Sequence, residues 1–422
     1  MRRIGARRIA ALCLVLVVAG CGTPSVVRTS SPEIATPRSQ GASLGSATLG
    51  TFGPSMTIAP GSGAGPAQWT TLTWPEPAAL PVGAAPAAVR SWAGGLVVVG
   101  AQTSSSGQWP AAWLSSDGRH WEQTLNDTSG GPTGSVLRMT AIGGRLYVFG
   151  VVGSQSCGQQ GQGAECTGPP VAEWTSADGR DWRRVALGGA FSDATLRAVA
   201  GGLRGIVAVG ESGGVPKVWF AADGERWTTQ ALPTVDDGAL SDVVTYPGGW
   251  VVAGSTRART SQSPGALPKI WASSDGSNWS PSRIEMSRDA HGGVARLGIA
   301  GGVLFAIGDT TSTTPGIAGT GYEWTSRDAR TWELAPVDDS APSSDIISDG
   351  VHALSAQWMR GDRLGFAAFQ QPSHWDLMTE AGNLDAAPSW DIQWLAALTQ
   401  DALVVIRRDS TGPSMVWIAE AR

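Results

Sequence analysis

Five aspartates recur in one local sequence, Trp-x-x-x-Asp-Gly-x-x-Trp, and are the first side chains in this chain that could do chemistry. They are Asp117, Asp178, Asp223, Asp275 and Asp328. Carboxylates act as acids, bases or metal ligands only where several converge on one point. These five are 45 to 61 residues apart, so each belongs to a separate structural unit. We therefore interpret them as structural turn residues and predict no catalytic and no metal-binding role for them.

Four arginines occupy similar positions, four or five residues before a Gly-Gly pair: Arg90, Arg138, Arg197 and Arg296. If the surrounding segments repeat, these side chains meet at one place. A ring of guanidinium groups could hold a carboxylate, a phosphate or a sulfated sugar, because guanidinium presents a planar fork of donors. The alternative, which we favour, is that they pair with acidic residues in a solvated channel. The candidate partners are Asp193, Asp242, Asp345 and Asp349.

Other polar residues give weaker signals. The doublets Asp236-Asp237 and Asp338-Asp339 could offer oxygen ligands to Ca²⁺, but solvated turns are the simpler explanation, which we favour. The histidines show no metal-ligand spacing, and they are His120, His291, His352 and His374. We predict no metal and no cofactor.

The elements that must position these residues form a repeated unit. Each unit has a short strand ending near a Gly pair, an apolar strand, a variable loop, a Trp-containing strand, the Asp-Gly turn and a last strand opened by Trp. Gly supplies the positive φ that a tight hairpin needs. The period fits a four-stranded blade of a β-propeller.

The blade number follows from two weaker copies after Trp332. One comprises residues 354–358, 364–369 and 375–382, and the other comprises residues 392–398, 403–406 and 415–419. The predicted fold is therefore an all-β, seven-bladed propeller, and six blades is the alternative count. The last copy lacks a strand that Gln68–Trp74 can supply, which closes the ring by an N-to-C strand splice and removes open sheet edges.

Strand order predicts two unlike faces. The Gly pairs and the Asp-Gly turns fall on one face, and the longer loops fall on the other. Four segments carry the length variation: 151–171, 255–268, 309–321 and 336–350. Loops on a rigid scaffold carry function more often than the scaffold does, so we assign ligand binding to the variable-loop face.

The boxes at Ser115-x-Asp117-Gly118, Ser176-x-Asp178-Gly179 and Ser273-x-Asp275-Gly276 resemble the Asp-box, or BNR, repeat of sialidases and sortilin-type receptors. The usual box is one residue longer, with Gly two positions after Asp. The resemblance covers residues 67–422 and implies a propeller. A sialidase would also need an arginine triad and a tyrosine nucleophile. Tyr147, Tyr246 and Tyr322 are poorly placed for that role, and we expect binding rather than catalysis.

The N-terminus predicts export. Residues 1–20 have arginines before a short apolar run and resemble a lipoprotein signal peptide, with Cys21 as the lipidated residue. Residues 21–66 are rich in Ser, Thr, Pro and Gly, which predicts a disordered tether. Residues 67–422 form the propeller. Cys157 and Cys166 remain as a pair, and an even pair in an exported protein predicts a disulfide.

Composition narrows the function. The net charge is −5, and the sequence contains no stripe of basic residues. Nucleic-acid binding is therefore not expected. The leading hypothesis is a monomeric, lipid-anchored module on the outer leaflet of the cell membrane that binds a protein, peptide or envelope glycan. The alternative is a sialidase-like, glycan-cleaving enzyme with the arginines as its anion site.

Overall fold

The computed structural model describes most of the predicted propeller. The described residues are 71–153, 156–157, 166–167, 169–233, 238–257, 266–286, 292–310, 321–335, 346–359, 363–370, 374–381, 384, 393–398, 402–408 and 413–421. The predicted signal peptide 1–20, Cys21 and the tether 21–66 lie outside this part, as do both acidic doublets, Asp345 and His291. Two compact units are distinguished, Met1–Ser39 and Gln40–Arg422, and every described residue belongs to the second.

The described residues form β-strands and turns, with no helix among them, so this part of the chain also contains no helical membrane span. The strands make seven successive antiparallel sheets, each the blade of a β-propeller. The prediction of an all-β, seven-bladed ring is therefore confirmed, and the six-bladed alternative is wrong.

Within each blade the strands follow one another outwards from the centre of the ring. The first strands in the chain are β1 (Thr71–Thr73) and β2 (Ala78–Ala79). Blade 1 contains β3 (Ala84–Trp92), β4 (Gly95–Ser104), β5 (Gly107–Ser115) and β6 (Glu122–Asn126). Blade 2 contains β7 (Gly134–Ile142), β8 (Arg145–Val152), β11 (Val171–Ser176) and β12 (Arg183–Val185), with β9 (Ser156–Cys157) and β10 (Cys166–Thr167) between β8 and β11. Blade 3 contains β13 (Ala194–Gly202), β14 (Gly205–Ser212), β15 (Val215–Ala221) and β16 (Thr228–Gln230).

The remaining blades repeat this order. Blade 4 contains β17 (Ala239–Tyr246), β18 (Gly249–Arg257), β19 (Ala266–Ser273) and β20 (Ser280–Pro281), followed by β21 (Arg283–Ile284). Blade 5 contains β22 (Gly292–Ala300), β23 (Val303–Thr310), β24 (Gly321–Ser326) and β25 (Thr331–Leu334). Blade 6 contains β26 (Ile346–Ser348), β27 (Ala353–Met359), β28 (Arg363–Gln370) and β29 (His374–Leu377), followed by β30 (Thr379–Ala381). Blade 7 contains β31 (Gln393–Leu398), β32 (Ala402–Arg408) and β33 (Met415–Ala421).

The second strand of each blade is apolar on both faces because both faces are buried. In β4, Val97, Val98 and Val99 are all fully buried. Val97 and Val99 pack with blade 2, whereas Val98 packs with blade 7. Successive side chains point to opposite faces of a sheet, so a continuous apolar run fills the seams on either side of the blade. The hydrophobic core is therefore a set of clusters between blades.

The N-terminal segment closes the ring. β1 pairs antiparallel with β33, placing Leu72 opposite Ala421, and β2 pairs with the same strand. The predicted N-to-C strand splice is confirmed by β1, and residues 68–70 of the predicted segment lie outside the described residues. β30 adds a parallel strand outside β1, and β21 does the same outside β25, so the outer edges of blades 7 and 5 are covered.

Blade 6 departs from the prediction. Segment 336–350 was predicted as a loop, but β26 within it is the innermost strand of the blade. Ile346 and Ile347 are buried, so the chain gains the same core contacts there as in other blades. The predicted strand 375–382 is divided, because β29 completes blade 6 while β30 joins the sheet of blade 7.

The turns between the first two strands also differ in part. Gly143-Gly144 and Gly301-Gly302 form two-residue turns with positive φ throughout, as the prediction requires. In blade 3, however, Gly201 and Gly202 end β13, and Leu203-Arg204 form the turn. Close packing explains these glycines, because a Cβ on Gly201 would lie 2.5 Å from the Ala141 carbonyl oxygen of the preceding blade.

Strand order gives the ring two faces, which we name here. The box face carries the turns between first and second strands and those between third and fourth strands. The loop face carries the connections between second and third strands and those between blades. Blades 1 and 3 have two-residue connections between their second and third strands, Ser105-Ser106 and Gly213-Gly214. Those of blades 2, 4 and 5 are longer.

Candidate functional site

Asp117 accepts hydrogen bonds from its own turn. Its Oδ1 accepts from the amides of Arg119 and His120, both at 2.8 Å. Ser115 Oγ accepts from the Gly118 amide at 2.8 Å and donates to Asp117 Oδ1 at 3.1 Å. These hydrogen bonds stabilise the ionised carboxylate. They therefore hold the pKa of Asp117 below its usual range.

The other four boxes repeat this geometry. Each aspartate accepts from the amides two and three residues later, at 2.7 to 3.0 Å. In the third box Ala221 replaces the serine, and bonds led by the Arg226 amide lower the pKa of Asp223 to about 2. In the fifth box Ala329 replaces the glycine and still adopts φ 62°. The structure thus places the five aspartates in five separate turns.

The box turns also contact the preceding blade, which the sequence did not reveal. Tyr147 of blade 2 donates from its hydroxyl to the Asp223 carbonyl of blade 3 at 3.2 Å. Trp92 of blade 1 donates from Nε1 to the Ala177 carbonyl of blade 2 at 3.1 Å. A Cβ on Gly224 would lie 2.6 Å from the Tyr147 ring. The boxes therefore hold neighbouring blades together.

The central channel is lined by innermost strands that share a β-bulge. A register shift occurs at the same point of β3, β7, β13, β17 and β22. Bulges redirect side chains. Arg138, Asp242 and Arg296 each lie directly after the bulge of their strand, in blades 2, 4 and 5. The structure therefore brings these three residues to equivalent positions around the channel.

Asp242 is the acidic centre of this group. It is 4 % exposed and accepts from the amides of Val243 and Leu297, each at 2.9 Å. Burial raises its pKa, and the positive charges of Arg296 and Arg138 oppose that rise. Leu297 lies in blade 5, so the carboxylate satisfies the free edge of the neighbouring innermost strand.

The four predicted arginines are not equivalent. Arg138 donates from Nε to the Arg197 carbonyl at 2.6 Å, joining blades 2 and 3. Arg197 lies in the bulge itself and pairs with Glu211 at 3.3 Å. Arg90 lies near the end of β3 and is buried, which lowers its pKa to about 10. None of the four arginines lies at the start of its strand, because each first strand begins at least three residues before the arginine.

Among the described residues, one of the acidic partners proposed for these arginines, Asp242, interacts with them. Asp242 lies in the field of Arg296 and Arg138. Asp193 is exposed, at φ 52° in the connection before β13, and Asp349 instead accepts from the amides of Val351 and His352. Glu211, the partner of Arg197, was missed. The anion-binding role of the four arginines stays a prediction.

Two buried glutamates were also missed. Glu173 of blade 2 is fully buried, and its Oε2 accepts from Trp227 Nε1 of blade 3 at 2.9 Å. Glu323 of blade 5 accepts from Trp375 Nε1 of blade 6 at 2.8 Å. Both precede the first Trp of a box, where the boxes of blades 1, 3 and 4 have Ala112, Val218 and Ile270. A glutamate at a repeat position that is otherwise apolar could have identified both residues from the sequence.

Histidines and tyrosines are engaged in local contacts. His120 contacts Asp117 at 2.6 Å and His352 contacts Asp349 at 3.2 Å through Nδ1. The Tyr322 ring stacks on Trp324 with centroids 5.9 Å apart, and Tyr246 ends β17 on the box face. Within the described ranges, no three acidic, histidine or cysteine side chains gather as a metal site would require.

A cleft of about 370 Å³ lies where the ring closes. Thr73, Glu76, Val416 and Ile418 line it on the side of blade 7, and Asp117 and Arg119 line it on the side of the first box. Its polar groups are two carboxylates, one guanidinium and one hydroxyl. The cleft lies between the closing strand and the first box, away from the channel.

Comparison with known proteins finds similar solved structures at low sequence identity. No family model matches the chain, and no curated protein matches it. Among solved structures, the β-propeller domain of the Trilobed protease from Pyrococcus furiosus has a TM-score of 0.48 at 8 % identity, covering 84 % of this chain and 95 % of that one. Trypanosoma rangeli sialidase has a TM-score of 0.38 at 12 % identity, covering 83 % and 55 %. An ulvan lyase of polysaccharide lyase family PL25 has a TM-score of 0.43 at 11 % identity, covering 84 % and 95 %.

Proposed function

We propose that this chain is a membrane-anchored binding module that engages a protein, peptide or envelope glycan through its loop face. One observation carries the proposal: residues of the box face are engaged in structural contacts, whereas the longer connections lie on the loop face. On the box face, the aspartates are bound by amides of their own turns, and the turns contact the preceding blade. The longer connections of blades 2, 4 and 5 lie on the loop face, where sequence can vary without disturbing the ring.

The alternative is a glycan-cleaving enzyme with an anion site at the channel arginines. The channel contacts speak for the binding module, because Arg138 is held by the Arg197 carbonyl and Arg197 pairs with Glu211. Turnover of fluorogenic glycosides by the purified chain would overturn the binding proposal and support the enzyme.

The only two lysines in the chain provide a direct test of the loop face. Lys217 lies near the start of β15 and Lys269 lies within β19. Third strands begin on the loop face, so both lysines lie in the half of their strand that is nearer this face. An amine-reactive crosslinker applied to whole cells therefore reports on contacts there.

The experiment uses the full chain and two variants. We expect a crosslinked partner with the natural chain and its loss in Lys217→Arg/Lys269→Arg, which keeps both charges. The matched control adds Arg119→Lys to that double variant, placing an amine on the box face, where Arg119 is exposed. Recovery of the same partner at full yield in the control would contradict the loop-face assignment.

Anchoring is proposed at Cys21, on the resemblance of residues 1–20 to a lipoprotein signal peptide. Cys21→Ser is expected to move the protein from the membrane fraction to the soluble fraction, measured by fractionation and immunoblotting. Retention of the variant in the membrane fraction would remove this part of the proposal.

A further inference from the structure

The connection between β8 and β11 carries a small ribbon of its own. β9 and β10 form a two-stranded antiparallel sheet that pairs with no other described strand. Its register places Cys166 directly opposite Cys157 and Thr167 opposite Ser156. The backbone positions of the two cysteines are therefore directly paired, in a ribbon inserted between the second and third strands of blade 2.

This register suits a covalent bond between the strands. Directly opposed residues of an antiparallel pair have Cα atoms about 4.5 to 5.5 Å apart. A disulfide requires a Cα separation of roughly 4.4 to 6.8 Å, so the backbone needs no movement to accept one. A ladder of two residue pairs has little stability alone, because even a longer isolated hairpin is marginal in water.

We propose that Cys157 and Cys166 form a disulfide that joins β9 to β10. In the reaction the two thiols lose two protons and two electrons and form one S–S bond. The oxidant is a disulfide-bearing thiol oxidoreductase, whose own disulfide is reduced to a dithiol. Such oxidants operate in the oxidising compartments that exported proteins enter.

Peptide mapping tests the disulfide independently of any ligand. The full chain is denatured with a thiol-blocking maleimide, without reductant, and cut with trypsin and with a protease that cleaves after glutamate. Trypsin releases residues 146–180 as one piece, and cleavage after Glu165 separates Cys157 from Cys166. We expect residues 146–165 and 166–173 to remain joined until a reductant is added. Separate, maleimide-blocked peptides would overturn the proposal.

Discussion

Glu173 shows how one residue couples two blades at an energetic cost. Burial raises its pKa to about 8, against 4.5 for an ordinary glutamate. Oε2 accepts from Trp227 Nε1, whereas Oε1 has no hydrogen-bond partner among the described residues. The carboxyl is therefore mostly protonated at neutral pH, since a buried, half-satisfied charge would be expensive.

The raised pKa predicts a pH dependence of folding. Between pH 4.5 and 8 the native state keeps a proton that the unfolded chain has released, so stability falls as pH rises through that window. From pH 5 to pH 8 the loss is on the order of 3 kcal/mol for a shift of this size. We expect Glu173→Gln to be more stable than the natural chain at pH 8 and to flatten this dependence, as measured by urea unfolding at several pH values.

Glu333 supplies the control, because its side chain is exposed on β25. Glu333→Gln should leave the pH profile of unfolding unchanged. Parallel profiles for the natural chain and Glu173→Gln would show that Glu173 titrates alike in the folded and unfolded states.

At the scale of elements, the box turn is a connector between blades. Gly224 has φ 77° and lies under the Tyr147 ring, whereas Gly302 has φ 80° with nothing within 4 Å of an added Cβ. The two glycines have the same left-handed backbone conformation and differ in how closely neighbouring atoms pack against them. Ala329, at the glycine position of the fifth box, shows that the backbone conformation alone is tolerated.

These two glycines give a matched pair of variants. Gly302→Ala should cost about 1 kcal/mol of unfolding free energy, from the positive φ alone. Gly224→Ala should cost about 3 kcal/mol, because it also forces the Tyr147 ring aside. Chemical denaturation measures both. Equal losses would mean that the box glycine serves only the turn and not the seam between blades 2 and 3.

In the channel, side chains of one innermost strand bond to the backbone of the innermost strand of the next blade. Innermost strands have one unpaired edge, which is costly if unsatisfied. Asp242 satisfies the Leu297 amide of the next blade, and Arg138 satisfies the Arg197 carbonyl. These two charged side chains therefore join neighbouring blades.

For the whole molecule, the closing strand decides whether the ring is a single cooperative unit. Leu72 of β1 is fully buried within a cluster that joins blades 6, 7 and 1. A cavity at this point weakens the joint between the first and last blades. The rest of the chain cannot compensate, because each seam is filled by its own side chains.

Leu72→Ala should therefore lower the unfolding free energy by about 2 to 5 kcal/mol. It should also accelerate proteolysis near the N-terminus of the ring, because opening there frees β1. Leu203→Ala is the matched control, since Leu203 is 92 % exposed in the turn of blade 3, and it should change stability by less than about 0.5 kcal/mol. Similar unfolding midpoints and protease sensitivity in both variants would contradict a closing role for β1.

The propeller could be predicted because its signal is local and repeated. Five copies of the box, each with its Trp pair, specify a hairpin by turn chemistry alone, and the period specifies the blade. The incomplete seventh copy even predicted the partner of β33. Blade 6 was harder to predict, because β26 has only three residues and is not followed by a Gly pair. Its strand character comes from burial between neighbouring sheets.

The sequence by itself determined the ring, its blade number, its closure and the turns that carry the aspartates. Only the tertiary structure decided what the charged residues do. Glu173 meets Trp227 across 54 positions of chain, and Asp242 meets the Leu297 amide across 55. Such pairs depend on which blades adjoin and on where bulges shift the strands. No local pattern encodes these distances, because they arise only when the sheets pack around the channel.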